Sequence, residues 1–233
     1  IRNDFISNMT HELKTPISTI SLASQMLGDR SIPDKTKNIN YLSGVISDES
    51  KKLGYHVEKV LQLAIFEKGK LELKFKVSDI HEIIMNVINT FDIQIKHRNG
   101  SIQSKLNAAS HSVNIDQVHI TNVFSNLIDN AIKYCERNPE IHIESYNENG
   151  YLGISIADNG VGMNKQDIRR IFEKFYRIPT GNIHNIKGFG LGLSYVKKII
   201  EEHKGHIKVD SKPFEGTVFQ IYLPSDKMHN HND

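Results

Sequence analysis

Two kinds of hydrophobic spacing divide the chain. At about 100° per residue, Phe5, Ile6, Met9, Leu13, Ile17, Ile20, Ala23 and Leu27 gather into one apolar stripe. They predict an amphipathic helix that runs to about Gly28-Asp29. After a turn at Pro33-Asp34, the residues Ile39, Leu42, Ile46, Leu53, Val57, Val60, Leu61 and Ala64 form a second stripe, again at helical spacing. Two such helices with a short link make an antiparallel hairpin. A hairpin alone leaves both stripes poorly covered, whereas two copies packed as a four-helix bundle bury them. The expectation is a homodimer formed through the hairpin.

Around Gly69 the helical period gives way to Leu71, Leu73, Phe75 and Val77 alternating with charged residues, a strand signature. The boundary falls there and gives domains 1–68 and 69–225, followed by a polar tail, 226–233. Asp79 with Glu82 reads as a capping box for a helix from Ile80 to about Arg98. Short strands follow near 102–106 and 113–115, and Asp116 caps a helix to about Tyr134. Strands at 141–146 and 151–157 flank Asn149-Gly150, a strong hairpin signal. A last helix runs to about His203, and a last hairpin spans 206–211 and 217–223, turned near Glu215-Gly216. The expected fold is an all-α helical hairpin forming a dimeric four-helix bundle, followed by an α+β two-layer sandwich of antiparallel strands and helices.

Composition narrows this little further. The 233 residues are 38% hydrophobic and 24% charged, which suits one or two domains with a sizeable core. A net charge of +2 gives no reason to expect a nucleic-acid surface. The single cysteine, Cys135, excludes an internal disulfide and is compatible with a reducing compartment. No apolar run is long enough to span a membrane. Ile1 already belongs to the helical pattern, without a cap or an initiator methionine, so the chain reads as a fragment with an upstream part missing.

Candidate chemistry begins at His11-Glu12-Leu13-Lys14-Thr15-Pro16. His11 falls roughly 180° from the centre of the first stripe, toward water. A lone histidine is usually unremarkable, and this chain has 12. Here Glu12 can hold the proton of one ring nitrogen and leave the other as a nucleophile. Thr15, one turn on, places a hydroxyl on the same face, where it can position a water. Pro16 removes a backbone donor inside the helix, freeing the Glu12 carbonyl and bending the helix.

A second constellation follows Asp116. Asn122, Asn126, Asn130 and Lys133 lie along one flank of the predicted helix, within a strip about 80° wide. Asparagine is a poor helix former, so three at four-residue spacing need a reason. Their amide oxygens suit Mg²⁺, and Lys133 adds positive charge for phosphate. Asp158-Asn159-Gly160-Val161-Gly162 follows a predicted buried strand. A carboxylate there can accept from an exocyclic amine, and glycines let the backbone approach a flat ring. Gly188-Phe189-Gly190-Leu191-Gly192-Leu193 opens the last helix, where backbone donors and the dipole favour phosphate.

Phe5 to Pro16 resembles the phospho-accepting box of bacterial sensor histidine kinases. The later pieces resemble the nucleotide-binding domain that these kinases share with gyrase, mismatch-repair and chaperone ATPases. Residues 126–134 match its asparagine box, 158–162 the first glycine box, 172–177 the phenylalanine box, 188–193 the second glycine box and Gly216-Thr217 the last. The resemblance covers nearly the whole chain, in the family's order and approximate spacing. It assigns Asn130 with Asn126 to magnesium, Lys133 and Arg177 to phosphates, and Tyr134 and Asp158 to the nucleotide, Asp158 to the adenine amine. The glycine-box residues and Thr217 join the cofactor-binding set, and residues 178–187 form a lid.

The resemblance implies an ATP- and Mg²⁺-dependent protein histidine kinase of a two-component system. It would phosphorylate His11 with the help of Glu12 and pass the phosphoryl group to an aspartate of a response-regulator receiver domain. It also implies a phosphatase reaction on that regulator through Thr15. The missing N-terminal part is expected in a membrane, with this part on the cytoplasmic side of the bacterial inner membrane. Two other classes compete. An ATP hydrolase that clamps a dimer would turn over ATP without His11. A nucleotide-binding scaffold without chemistry would be favoured by loss of His11, Asn130 or Asp158, and all three are present.

Overall fold

The computed structural model describes residues 2–29, 31, 38–67, 72–178 and 190–225, with the main chain alone at 2–12, 55, 56 and 58–67. The chain divides into two compact units, Ile1–Leu71 and Glu72–Asp233.

The first unit is a helical hairpin of α1 (Arg2–Gly28) and α2 (Ile39–Glu67), packed against each other. Pro16 lies within α1, and the helix continues through it. A proline there leaves one carbonyl without its usual donor. Of the described apolar positions in the two stripes, Ala23 and Leu42 are buried, while Ile17, Ile39 and Val57 are exposed. Phe5, Ile6, Met9, Val60, Leu61 and Ala64 lie outside the described side chains, as do His11 and Glu12.

The second unit opens on β1 (Lys76–Asp79), α3 (Ile80–His97), β2 (Ser101–Leu106), β3 (Ser112–Ile115) and α4 (Gln117–Lys133). It continues through β4 (Glu140–Glu148), β5 (Tyr151–Asp158), a one-turn α5 (Lys165–Ile168), α6 (Gly192–Glu202), β6 (His206–Lys212) and β7 (Gly216–Pro224). Both predicted caps form. Asp79 Oδ1 accepts from the His81 and Glu82 amides, and Asp116 Oδ1 accepts from His119 N at 3.1 Å. These bonds satisfy first-turn donors that the helix itself cannot. Asn149 and Gly150, at φ 50° and 81°, make the tight turn between β4 and β5, as a two-residue hairpin loop requires.

The main sheet has the order β2-β4-β5-β7-β6. All its pairings are antiparallel except β2 with β4, which is parallel, so the sheet is mixed where the sequence suggested antiparallel strands throughout. A parallel partner needs a crossover, here supplied by the connection through β3 and α4. The expected strand over Leu71–Val77 shrinks to β1, paired with β3 in a separate two-stranded ribbon. Residues 72–75 have no regular structure. Phe75 packs its ring 5.1 Å from that of His203, so its apolar character serves a side-chain contact and not a sheet face.

Period-2 alternation decides which strand residues meet the helices. Ile141 and Ile143 of β4, Leu152, Ile154 and Ile156 of β5, and Phe219, Ile221 and Leu223 of β7 are buried. Opposite them stand Ile80, Ile84 and Val87 of α3, Phe124, Leu127 and Ile128 of α4, and Val196, Ile199 and Ile200 of α6. Each such side chain contributes about 1.5–3 kcal/mol relative to exposure. His203, buried at the end of α6, ties this layer together. Its Nε2 accepts from Asp116 N at 2.9 Å and its Nδ1 lies 2.7 Å from Ile199 O. An imidazole that accepts at Nε2 and donates at Nδ1 is neutral. Burial holds its pKa below the usual imidazole value, more than the Ile199 carbonyl raises it.

Candidate functional site

The same alternation that builds the core carries one carboxylate to the sheet's helix-covered side. Asp158 ends β5 and shares parity with Leu152, Ile154 and Ile156, all buried. Across the strand pair it faces Thr217, which shares parity with Phe219 and Ile221. Asp158 Oδ1 accepts from Gly160 N at 2.8 Å and from Thr217 N at 3.2 Å. Among the described residues, Oδ2 takes no hydrogen bond. Burial raises the pKa of this carboxyl, with the two amide donors pulling the other way. A half-buried acceptor with an open lone pair fits an exocyclic amine, whose N–H would replace lost hydration.

The end of α4 closes against the loop after β5. Tyr134, the C-cap of α4, offers its carbonyl to Val161 N at 2.9 Å. A Cβ on Gly160 would stand 2.8 Å from that carbonyl oxygen, and one on Gly162, at φ +65°, would stand 1.9 Å from Lys212 O. These two glycines are therefore required by main chain crossing main chain within the protein. Gly216, at φ +111°, crosses the Asp158 carbonyl in the same way.

Asn126 is buried, with its Nδ2 donating to Asn122 O at 2.7 Å. A Cβ on Gly192 would stand 3.0 Å from its Oδ1, so the asparagine ladder and the second glycine box meet at this amide oxygen. Asn130, one turn on, is half-buried. Lys133 Nζ lies 2.5 Å from Asp129 Oδ2, an i,i+4 pair that holds the ammonium group beside the ladder. Gly190, at φ +68°, donates no side chain to clash with Phe175, and its carbonyl accepts from Phe175 N at 2.8 Å. Leu191 is buried, and Gly192 and Leu193 begin α6 without a side-chain cap. First-turn amides of α6 lacking a side-chain acceptor, next to the Asn126 amide oxygen, are suited to a magnesium-bound phosphate chain.

The structure thus brings Tyr134, Asp158, Gly160 and Thr217 together through direct contacts and, separately, Asn126 with Gly192. Arg177 is exposed at the end of its segment. Gly188 and Phe189, and all but Ile178 of the expected lid, lie outside the described residues. His11, Glu12 and Thr15 belong to the other unit, where Thr15 is exposed and its carbonyl accepts from Thr19 Oγ1 at 3.1 Å.

Two supports escaped the sequence reading. Ser211 accepts from Met163 N at 2.8 Å, lies 2.9 Å from Thr217 Oγ1 and donates to Gly216 O at 2.8 Å. It pins the glycine loop to the β6–β7 turn, and a serine at a strand end gives no signal of that. Asp167, buried, accepts from Tyr176 OH at 2.7 Å, which anchors the segment leading to Arg177. The Asn164 cap of α5, three residues before Asp167, was the available clue.

Known proteins supply the remaining context. Residues 1–69 match the family described as His Kinase A (phospho-acceptor) domain. Residues 115–227 match the family described as Histidine kinase-, DNA gyrase B-, and HSP90-like ATPase. The sensor protein RprX of Bacteroides fragilis is 51% identical over 228 residues, covering 96% of this chain and 44% of RprX. The chain therefore spans less than half the length of that relative. Among solved structures, the Acinetobacter baumannii histidine kinase AdeS is 25% identical with a TM-score of 0.66, covering 93% of this chain and 98% of AdeS. Histidine kinase ThkA in complex with response regulator protein TrrA shares the fold, at 22% identity and a TM-score of 0.62, over 97% of this chain and 62% of that one. With a phospho-acceptor domain followed by an ATPase domain, and half its residues shared with a sensor protein along nearly its whole length, the chain belongs to the sensor histidine kinases.

Proposed function

We propose that this protein is an ATP-dependent histidine kinase that phosphorylates its own His11 and passes the phosphoryl group to an aspartate of a response-regulator receiver domain. One observation carries the reading. A helix bearing His11-Glu12-Leu13-Lys14-Thr15-Pro16 is joined, in one chain, to an ATPase unit in which Asp158 keeps a half-buried carboxylate oxygen open. That oxygen suits the adenine amine. The domains proposed for these roles are 1–68 for dimerisation and phosphotransfer and 69–225 for ATP binding.

Bound ATP with Mg²⁺ supplies an activated phosphoryl group. Asp158 and the Tyr134 turn orient the base, while Lys133, Arg177 and the first-turn amides of α6 meet the negative charge of the phosphates. Asn130 and Asn126 are the residues that would hold the metal, through their amide oxygens. A nitrogen of His11 is the nucleophile, and Glu12 orients the ring and takes its proton. Thr15 positions a water that hydrolyses the regulator's aspartyl phosphate, leaving aspartate and inorganic phosphate. The regulator assignment is supported by ThkA, a kinase of this fold crystallised with its response regulator TrrA.

The hairpin works as half of a homodimer. Ile17, Ile39 and Val57 are 52%, 55% and 47% exposed in the single chain, though each belongs to a periodic apolar stripe, so a second copy is the natural cover. No described helix is long and apolar enough to cross a membrane.

The test is incubation with γ-labelled ATP and Mg²⁺, with α-labelled ATP as control. The protein should acquire γ-label alone, lost in acid and retained in base, and His11→Ala should acquire none. ATP turnover that persists in His11→Ala without any labelled protein would instead support the clamp-type hydrolase.

A further inference from the structure

On another part of the ATPase unit, the N-terminus of α3 meets the strand that precedes α4. Asp79 and Ser112 are register partners, and Ile80 N donates to His111 O at 3.0 Å. This main-chain pairing fixes three side chains side by side. His111 Nδ1 is 2.8 Å from Asp79 Oδ1, and the His81 and His111 rings stack with centroids 4.2 Å apart at 12°. His81 Nε2 is 2.8 Å from Ser145 Oγ, which also accepts from Ala108 N at 3.2 Å. Ser145 is 2% exposed, so its position is set by the core.

One nitrogen of each imidazole and one carboxylate oxygen of Asp79 lie within 4.8 Å of one another. All the bonds that Asp79 makes go to Oδ1. Among the described residues, Asp79 Oδ2, His81 Nδ1 and His111 Nε2 have no hydrogen-bond partner. Capping therefore explains one oxygen of Asp79 and neither imidazole. Two imidazoles and a carboxylate are the donor set of a borderline divalent metal, and His81, with its Nε2 held by Ser145, has the hydrogen-bonded second nitrogen usual in such a ligand. Magnesium and calcium prefer oxygen donors and fit it poorly.

We propose that Asp79, His81 and His111 form a binding site for a zinc-class divalent cation, separate from the nucleotide site. Bonds of 2.0–2.1 Å put tetrahedral ligands about 3.3 Å apart, so the three side chains must close in by rotation, with the His111–Asp79 hydrogen bond exchanged for bonds to the ion. Their half-exposed positions permit it. Ser145, behind His81, would then hold the ring's orientation. The bound ion would clamp the start of α3 to the β3 edge and to β4, and one coordination position would stay open to water or to a partner's side chain.

The experiment uses the 233-residue chain with His229 and His231 replaced by alanine, which removes the competing tail histidines. Zinc titrated calorimetrically should bind at one per chain and raise the thermal midpoint, while magnesium at the same concentration should not occupy this site. His81→Gln and His111→Gln should each weaken zinc binding by at least about 10-fold, and Asp79→Asn, which keeps a capping side chain, should weaken it too. Asp158→Ala should leave zinc affinity unchanged. Cobalt should bind with the visible absorption of a four-coordinate site, lost in the His81→Gln, His111→Gln double variant. Absence of saturable zinc binding, or binding undiminished in the folded double variant, would overturn the proposal. So would stabilisation by zinc that survives in that variant.

Discussion

The two units use apolar periodicity differently. In the ATPase unit, the apolar faces of α3, α4 and α6 are covered by strands and neighbouring helices of the same chain, and Ile80, Val113, Ile120, Leu152, Ile154 and Ile221 are fully buried. The hairpin, among its described apolar side chains, buries Pro16, Ala23 and Leu42, while Ile17, Leu22, Met26, Ile39, Tyr41 and Val57 are exposed. One unit is complete as a folding unit and the other is half of one. The contrast suits the division of labour. A nucleotide pocket needs a preformed set of acceptors and donors, whereas a phospho-acceptor helix need only present its imidazole and can leave its apolar side to a second copy.

The strongest way to break this contrast is to charge the hairpin. Ile17→Glu with Val57→Glu should abolish dimerisation, read by sedimentation, because a buried unpaired charge costs roughly 3–5 kcal/mol. Nucleotide binding to the ATPase unit should survive. The reciprocal change is Gly162→Ala. The left-handed conformation alone costs roughly 1–3 kcal/mol for a side chain, and overlap with Lys212 O adds to it. The ATPase unit's thermal transition should fall sharply while the dimer persists.

Asp158→Ala sharpens the comparison, with some loss of stability in the ATPase unit because the Gly160 and Thr217 amides lose their acceptor. Loss of a hydrogen bond to a charged group is worth about 1.5–3 kcal/mol, or roughly 10- to 150-fold in ATP affinity, measurable by calorimetry. The smallest effect concerns pH. The folded pKa of His203 lies below the 6.5 of a free imidazole, so the unfolded chain takes up a proton first. Stability from this group is complete above about pH 6.5 and is lost as pH falls from there toward the folded value. Asp116 and Glu202 oppose that shift and His119 adds to it, while burial is the largest cause. Thermal midpoints of the ATPase unit measured between pH 8 and 5 should decline through this window, and less so in His203→Gln.

Much of this was legible because short-range chemistry fixes it. Asp79 and Asp116 cap helices as carboxylates before apolar runs do, and Asn149-Gly150 turns where positive φ is needed. The asparagine ladder stood out because asparagine is costly in a helix. Other features depend on contacts distant in sequence. The parallel pairing of β2 with β4 is set by the crossover between them. Phe75 alternates as a strand residue does, yet packs on His203, 128 positions away. The glycines of the first glycine box stand out in the sequence, but the Tyr134 and Lys212 carbonyls that occupy the space a side chain would take come from distant positions. One-turn α5 is too short to carry a period.

The central claim is that the imidazole at position 11 and the pocket at Asp158 serve one reaction. The most direct measurement is to map the phosphoryl group by mass spectrometry at neutral to alkaline pH after incubation with ATP and Mg²⁺. A phosphoramidate on His11, absent from Asp158→Ala, is the expected result. Dimeric protein that binds ATP with Mg²⁺ and acquires no phosphoryl group on His11 would contradict the account.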